Sequence, residues 1–193
     1  MPRDGYHHGD LRNALLAATM ELVRERGARG FSVAEAARRA GVSSAAPYRH
    51  FPDRDAMLAA AARAGFLALE QRCAGLDLEP GLAARAAQIA AAYVVFAQED
   101  PARFEVMFAA GLDKSAHPEL LRQTERVQAL LKAALAPFTN EELPAERAAE
   151  LWSIAHGVAA LAVGGGLGHV VRETRPEAVA ARAAHSWATG FAG

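Results

Sequence analysis

Five side chains able to donate hydrogen bonds stand within eight positions of one another: Ser43, Ser44, Tyr48, Arg49 and His50. Two hydroxyls, a phenol, a guanidinium and an imidazole together suit an oxygen-rich, anionic partner. The Arg49 fork matches O6 and N7 of guanine, and it suits a phosphate or open water equally. A second group lies far along the chain. Trp152 and His156 are four residues apart and share one helix face. With Phe96, Met107 and Phe108 as walls they would suit a small, mostly apolar ligand, while Tyr93 and the same phenylalanines also fit ordinary core packing. Catalysis has little to work with. The serines near His50 have no third group and no oxyanion site. His117, His156, His169 and His185 form no HExxH pair, and the adjacent His7 and His8 do not share a helix face. The Gly164, Gly165, Gly166 run lacks the lysine of a phosphate loop. No enzyme, no cofactor and no metal site is expected.

The elements that must position the first group are short. Val33, Ala36, Ala37 and Ala40 recur at helical spacing. Ser32 precedes them and Glu35 follows three residues later, the pattern of a capping box. Gly41 ends this helix where a left-handed residue is needed, and Val42 can plug the gap to the next. Ser43 is then expected to cap a second helix over 44–50, in which Pro47 removes one early backbone hydrogen bond. A helix, a tight turn and a second short helix make a helix-turn-helix, whose second helix can enter a major groove. Helices this short need flanking support. One comes from a helix over 10–26, capped by Asp10, with an apolar stripe of Leu11, Leu15, Ala18 and Leu22. Another comes from a linking helix that Asp53 can cap, with Met57, Leu58, Ala61, Phe66 and Leu69 as its apolar contacts.

The rest of the chain reads as five or so further helices, over 82–99, from 101 to near 111, and over 118–136, 144–167 and 176–188. The expected fold class is all-α: a three-helix head over 1–52, a linking helix over about 53–73 and a helical body over 74–193. Apolar residues make up 52% of the 193 residues, and much of that is alanine, the best helix former. The single cysteine, Cys73, forms no internal disulfide. The opening residues have no apolar core and no stretch reads as a membrane span, so a cytoplasmic protein is expected. Net charge is -1, but residues 1–60 hold nine arginines against seven acids while the remainder is acidic. A mildly basic head on an acidic body agrees with nucleic-acid binding by the head. Arg3, in a polar N-terminal arm, can reach a phosphate or a minor groove.

The head, from YHHGDLRNALLAATMELVRERGARGFSVAEAARRAGVSSAAPYRHF through FPDRDAMLAAAARAGF, resembles the TetR/AcrR family of bacterial transcriptional regulators. The segment LWSIAHG, carrying Trp152, His156 and Gly157, is similar to the signature of the WHG-type C-terminal domain of one subset. The resemblance implies that Tyr48 and His50 contact phosphates, and that Ser44, Ala45 and Arg49 lie on the stretch facing the bases, with Ser43 also among the DNA-binding residues. Arg54 would sit near a phosphate at the start of the linking helix. Many members have glycine-threonine-leucine where this chain has Ala45, Ala46 and Pro47, which leaves few polar groups for base reading. The resemblance further implies a homodimer through the last two long helices, with Val158, Leu161, Gly165, Val179 and Trp187 at the interface. It also implies a palindromic double-stranded DNA operator, and a small-molecule effector that enters the body and releases a repressor. The differing alternatives are a sensing or protein-interaction protein without operator binding, and an enzyme using a histidine of the body.

Overall fold

The computed structural model describes residues 8–109, 111–138, 144–170, 173 and 175–190. Arg3 falls outside them. The described residues are helical and contain no strand. In chain order the α-helices are α1 (His8–Arg26), α2 (Val33–Arg39), α3 (Arg54–Ala74), α4 (Leu82–Glu99), α5 (Pro101–Met107), α6 (Pro118–Leu135), α7 (Pro144–Val163), α8 (Leu167–Val170) and α9 (Pro176–Thr189). The protein is all-α.

The chain forms two compact units. Unit 1 joins the residues up to Phe66 to Ala102–Gln123, and unit 2 joins Leu67–Pro101 to the residues from Thr124 onward. The sequence division into 1–52 and 74–193 does not separate out the 102–123 segment, which packs with the head. Its physical reason is visible in the core: Ala102 and Val106 of α5 are buried in the same cluster as Leu15, Leu22, Phe31, Phe51 and Met57.

Unit 1 is built from α1, α2, the part of α3 up to Phe66, nearly all of α5 and the start of α6. Buried Leu15, Ala18, Leu22 and Val23 give α1 its core face, and the Thr19 hydroxyl donates to the Leu15 carbonyl at 2.8 Å. α1 begins at His8, so Asp10 stands in its first turn and not at its cap. Ion pairs bind α1 to α2. Arg26 meets Glu35 at 2.6 Å, and Arg39 forks onto the two oxygens of Glu25 at 2.7 and 2.8 Å.

Unit 2 centres on α4, which packs against α7 and α9, themselves in contact. Ala86 and Ala90 of α4, Ala155 and Ala159 of α7, and Ala180 and Ala184 of α9 are all buried. Side chains this small let helix axes approach closely. The expected 144–167 helix ends at Val163. Gly165 takes a positive φ of 76°, which a helix cannot continue through, and the short α8 follows.

Candidate nucleic-acid interface

The Ser32 hydroxyl accepts from the Glu35 amide at 3.2 Å and caps α2. The reciprocal half of the box is not made, because Glu35 turns to Arg26 and Arg38 instead. At the other end Gly41 has φ 72°. Its amide donates to the Arg38 carbonyl at 3.2 Å, and the Val42 amide donates to the Ala37 carbonyl at 3.0 Å. This pair of bonds is a Schellman motif, which satisfies two carbonyls at the helix end. Val42 then packs against the unit 1 core.

The expected helix over 44–50 is not an α-helix. A turn closes from the Ala46 amide to the Ser43 carbonyl at 3.0 Å, and a single 3-10 turn spans Pro47–Arg49. Proline explains the change. Pro47 has no N–H to donate to Ser43, so the ladder is interrupted where an α-helix would need it. Pro47 is well placed at the start of a 3-10 turn and is itself buried. No side chain caps that turn, whose N-cap is Ala46, and Ser43 is exposed and contributes its carbonyl.

This geometry sorts the residues. Pro47 and Phe51 point into the core, while Ser43, Ser44, Ala45, Tyr48 and Arg49 are exposed and His50 is half-buried. Tyr48 is 57% exposed, unusual for a large aromatic ring in a domain this small. The guanidinium of Arg12 lies 5.3 Å from the centre of the Phe51 ring and stiffens the far end of the stretch. Of the two arginines near the turn, Arg39 is engaged by Glu25 and Glu21, whereas the Arg38 side chain is 73% exposed and makes a 3.3 Å contact with Glu35.

Arg54, which the family resemblance places near a phosphate, is anchored by the protein and keeps a side chain that is 40% exposed. Nη2 donates to the Ala28 carbonyl at 2.6 Å, Nε to the Phe31 carbonyl at 3.2 Å, and Nη1 meets Asp55 at 3.2 Å. Asp53 caps α3 by accepting from the Ala56 amide at 2.7 Å.

The six residues read as one pocket fall in both units. Met107 and Phe108 belong to unit 1. Met107 is fully buried, and a Cβ on Gly65 would meet its Cγ at 2.6 Å, so a larger residue at that crossing would have to displace the methionine side chain. Phe108 stands edge-on to Phe66 at 5.6 Å. The Lys114 ammonium lies 4.6 and 4.9 Å from those two ring centres, and burial pushes its pKa down. Nothing in the sequence pattern pointed to Lys114, because the two rings and the lysine are brought together only by the α5 docking.

Tyr93, Phe96, Trp152 and His156 lie in unit 2. Tyr93 is buried, and its phenol oxygen is 2.9 Å from His156 Nδ1. Trp152, with its ring 5.2 Å from that of His156, also hydrogen-bonds Tyr93. Burial raises the Tyr93 pKa well above 10 against that hydrogen bond. An indole N–H only donates. The Tyr93 oxygen therefore accepts from Trp152, and it shares a hydrogen with His156 Nδ1 in the direction that the imidazole tautomer sets. Among the residues read as an interface, Leu161 is 52% exposed on α7, Val158, Val179 and Trp187 are half-buried, and Gly165 is exposed. The Trp187 indole donates to Glu150 at 3.0 Å.

An exposed polar stretch displayed by a capped helix and a glycine turn defines a helix-turn-helix regulator. Residues 15–61 match the family model of bacterial regulatory proteins of the tetR family. Residues 86–187 match that of the tetracyclin repressor-like C-terminal domain. The chain belongs to the TetR family of transcriptional regulators, whose N-terminal domain binds DNA, and it is not an enzyme. A solved protein of unknown function from Rhodococcus sp. RHA1 is 30% identical, with a TM-score of 0.77 over 97% of this chain and 98% of its own. A transcriptional regulator from Rhodococcus sp. Rha1 is 26% identical, with a TM-score of 0.69 over 93% and 96%. The TetR family transcriptional regulator PfmR from Thermus thermophilus shares the fold at 20% identity, with a TM-score of 0.58 over 89% and 94%. The comparison with curated proteins gave no match. No helix among the described residues is long and apolar enough to cross a membrane.

Proposed function

We propose that the protein is a homodimeric, effector-released repressor of a palindromic operator. The observation that carries this reading is the segregation across residues 43–51. Pro47 and Phe51 anchor the stretch, and Ser43, Ser44, Ala45, Tyr48 and Arg49 face outward. Tyr48 and His50 hold phosphates, Arg38 adds a cation near the same turn, and Arg49 reads a base. The stretch is a turn and a 3-10 turn, so its side chains meet the groove over a short length. That favours pairing two copies on one site, with half-sites separated by roughly 34–36 Å. Two-fold symmetry comes from α7 and α9, with Leu161, Gly165 and Trp187 at or near the contact. The effector is a small, largely apolar molecule bound in unit 2 beside Trp152 and His156, of the WHG type. It must prefer the head spacing that cannot span both half-sites, since equal affinity for the two states would release nothing.

The test is selection from random duplexes. An inverted repeat is expected, and enriched sequences without symmetry would refute the dimer reading. Two variants then separate positioning from reading. Tyr48→Phe should weaken matched and mismatched duplexes alike. Arg49→Ala should relax preference at one symmetric position, with a loss of about 1–3 kcal/mol in discrimination. Uniform weakening by Arg49→Ala would assign that residue to a phosphate.

A further inference from the structure

The loop between α1 and α2 is held by side chains from outside the helix-turn-helix. The Ala28 amide donates to Glu105 Oε1 at 2.7 Å, and the Ala28 carbonyl accepts from Arg54 at 2.6 Å. One peptide unit on each side of Ala28 is thus tied to a charged group, one on α5 and one on α3. The fit at α5 is close. Gly27 has φ 72°, and a Cβ there would stand 3.0 Å from Glu105 Oε1. The carboxylate occupies the space a side chain at position 27 would take. α5 itself is fixed, because Ala102, Phe104, Val106 and Met107 on its other faces are buried. Glu105 is exposed overall, so its place is set by the loop it holds and not by core packing.

We propose that Glu105 is a positioning residue for DNA binding: its carboxylate sets the 27–31 loop and thereby the angle at which α2 and residues 43–49 are presented. This rests on the reading that those residues meet DNA. The physical ground is that the loop has only one 3-10 turn, Ala28–Gly30, closed by a single Gly30 amide to Gly27 carbonyl bond of 3.1 Å, and hydrogen bonds to a charged acceptor are stronger than neutral ones. α2 starts at Val33, five residues after Ala28, so a shift at Ala28 is carried directly into α2. Glu105 also sits one helical turn after Pro101, where the chain leaves unit 2. That hydrogen bond joins α5 to the loop ahead of α2, beside the packing of Ala102 and Val106 in the cluster that holds Ala28 and Phe31.

The experiment is a double-mutant cycle on the full chain, using the duplex selected by the wild-type protein. Glu105→Ala removes the acceptor without opening a core cavity. Ala28→Pro removes the donor, and Gly27, with ψ 166°, suits a following proline. Glu105→Ala is expected to weaken duplex binding about tenfold, the size of one lost hydrogen bond to a charge, and to speed amide exchange at Ala28 by a similar factor. Glu105→Gln, which keeps an oxygen acceptor, should recover most of the affinity. In the Ala28→Pro background Glu105→Ala should add nothing. Unchanged duplex affinity in Glu105→Ala, or an undiminished effect in the proline background, would overturn the proposal alone. Failure of the wild-type protein to enrich any duplex would overturn the DNA-binding reading and the proposal with it.

Discussion

The two units are stabilised by different kinds of side chain. Unit 1 packs large, distinct shapes: Leu15, Leu22, Phe31, Phe51 and Met57 fill one core, and ion pairs between α1 and α2 fix their register from outside. Unit 2 brings α4, α7 and α9 together with many buried alanines, beside larger Val94, Phe96 and Leu151. Alanine permits close approach but offers little to interlock, so shape alone specifies register weakly. The Trp152, Tyr93 and His156 network supplies what the alanines lack. It ties α4 to α7 through a buried phenol hydrogen-bonded to both Trp152 and His156. A head that must present residues 43–49 in one geometry uses rigid packing. The body, which in the proposed function responds to a ligand, is held by small faces and a polar network.

The largest expected effects test this contrast by opposite substitutions. Leu22→Ala in unit 1 should cost about 2–5 kcal/mol, the transfer term plus a cavity. Ala184→Leu in unit 2 should cost about 1–3 kcal/mol by forcing α9 off α4. Both tryptophans of the chain, Trp152 and Trp187, lie in unit 2. Tryptophan fluorescence therefore follows unit 2, and amide exchange at α1 follows unit 1. If Ala184→Leu were accommodated without loss, the alanine faces would not be closely packed.

Next in size is Tyr93→Phe. It leaves the Trp152 N–H and His156 Nδ1 without the phenol and should cost about 1–3 kcal/mol in a denaturant titration. The same change tests whether the network sets register. Amide exchange along α4 and α7 should rise beyond what the lost stability predicts. Exchange rising only in proportion to stability would reduce the network to ordinary satisfaction of a buried group.

How much of this is legible in the sequence follows from the same contrast. The capping serine, Gly41, Asp53 and the apolar stripes are local signals, and α2, α3 and the α4 boundaries lie where those signals put them. The 3-10 turn at Pro47 is hinted at by the missing N–H, but its extent depends on Pro47 and Phe51 both entering the core. The anchoring of Arg54 is not legible, because a guanidinium near a helix start reads alike whether it meets phosphate or backbone carbonyls. The docking of α5 on the head, and with it Glu105, Met107 and Lys114, is not legible. It depends on Gly65 admitting Met107, a contact between residues far apart in the chain.

Alkaline pH separates the units by sign. In unit 2, burial raises the Cys73 thiol and the Tyr93 phenol above their ordinary values of 9.0 and 10.0. Each keeps its proton in the folded state after the unfolded chain has lost its own. Stability from these groups is complete below about pH 9 and is lost as pH rises, first through Cys73 and then through Tyr93. The slope is at most about 1.4 kcal/mol per pH unit for each group. Tryptophan fluorescence should show a falling unfolding midpoint above pH 9, and Cys73→Ser should flatten its first part. A midpoint unchanged between pH 8 and pH 10 would remove the buried-thiol account.

Lys114 in unit 1 should do the reverse, on a smaller scale. Burial depresses its pKa below 10.5, so the unfolded chain binds more protons than the folded one as pH approaches that value. Its charge is a burden in the fold at neutral pH, and the burden lifts as the ammonium deprotonates. The two phenylalanine rings offset part of it, because an ammonium over an aromatic face gains about 0.5–1 kcal/mol at partly exposed sites. The net should be close to zero. Lys114→Met keeps the length, removes the charge and leaves a sulfur that also packs well on rings. Stability at pH 7 should change by less than about 1 kcal/mol, with the α1 amides as the measure, and the gain toward alkaline pH should vanish. A loss well above that would mean that the ring attraction dominates the burial term. Unit 1 would then contain a charged contact as decisive as the polar network of unit 2, and the contrast between rigid packing and polar ties would fail at this point.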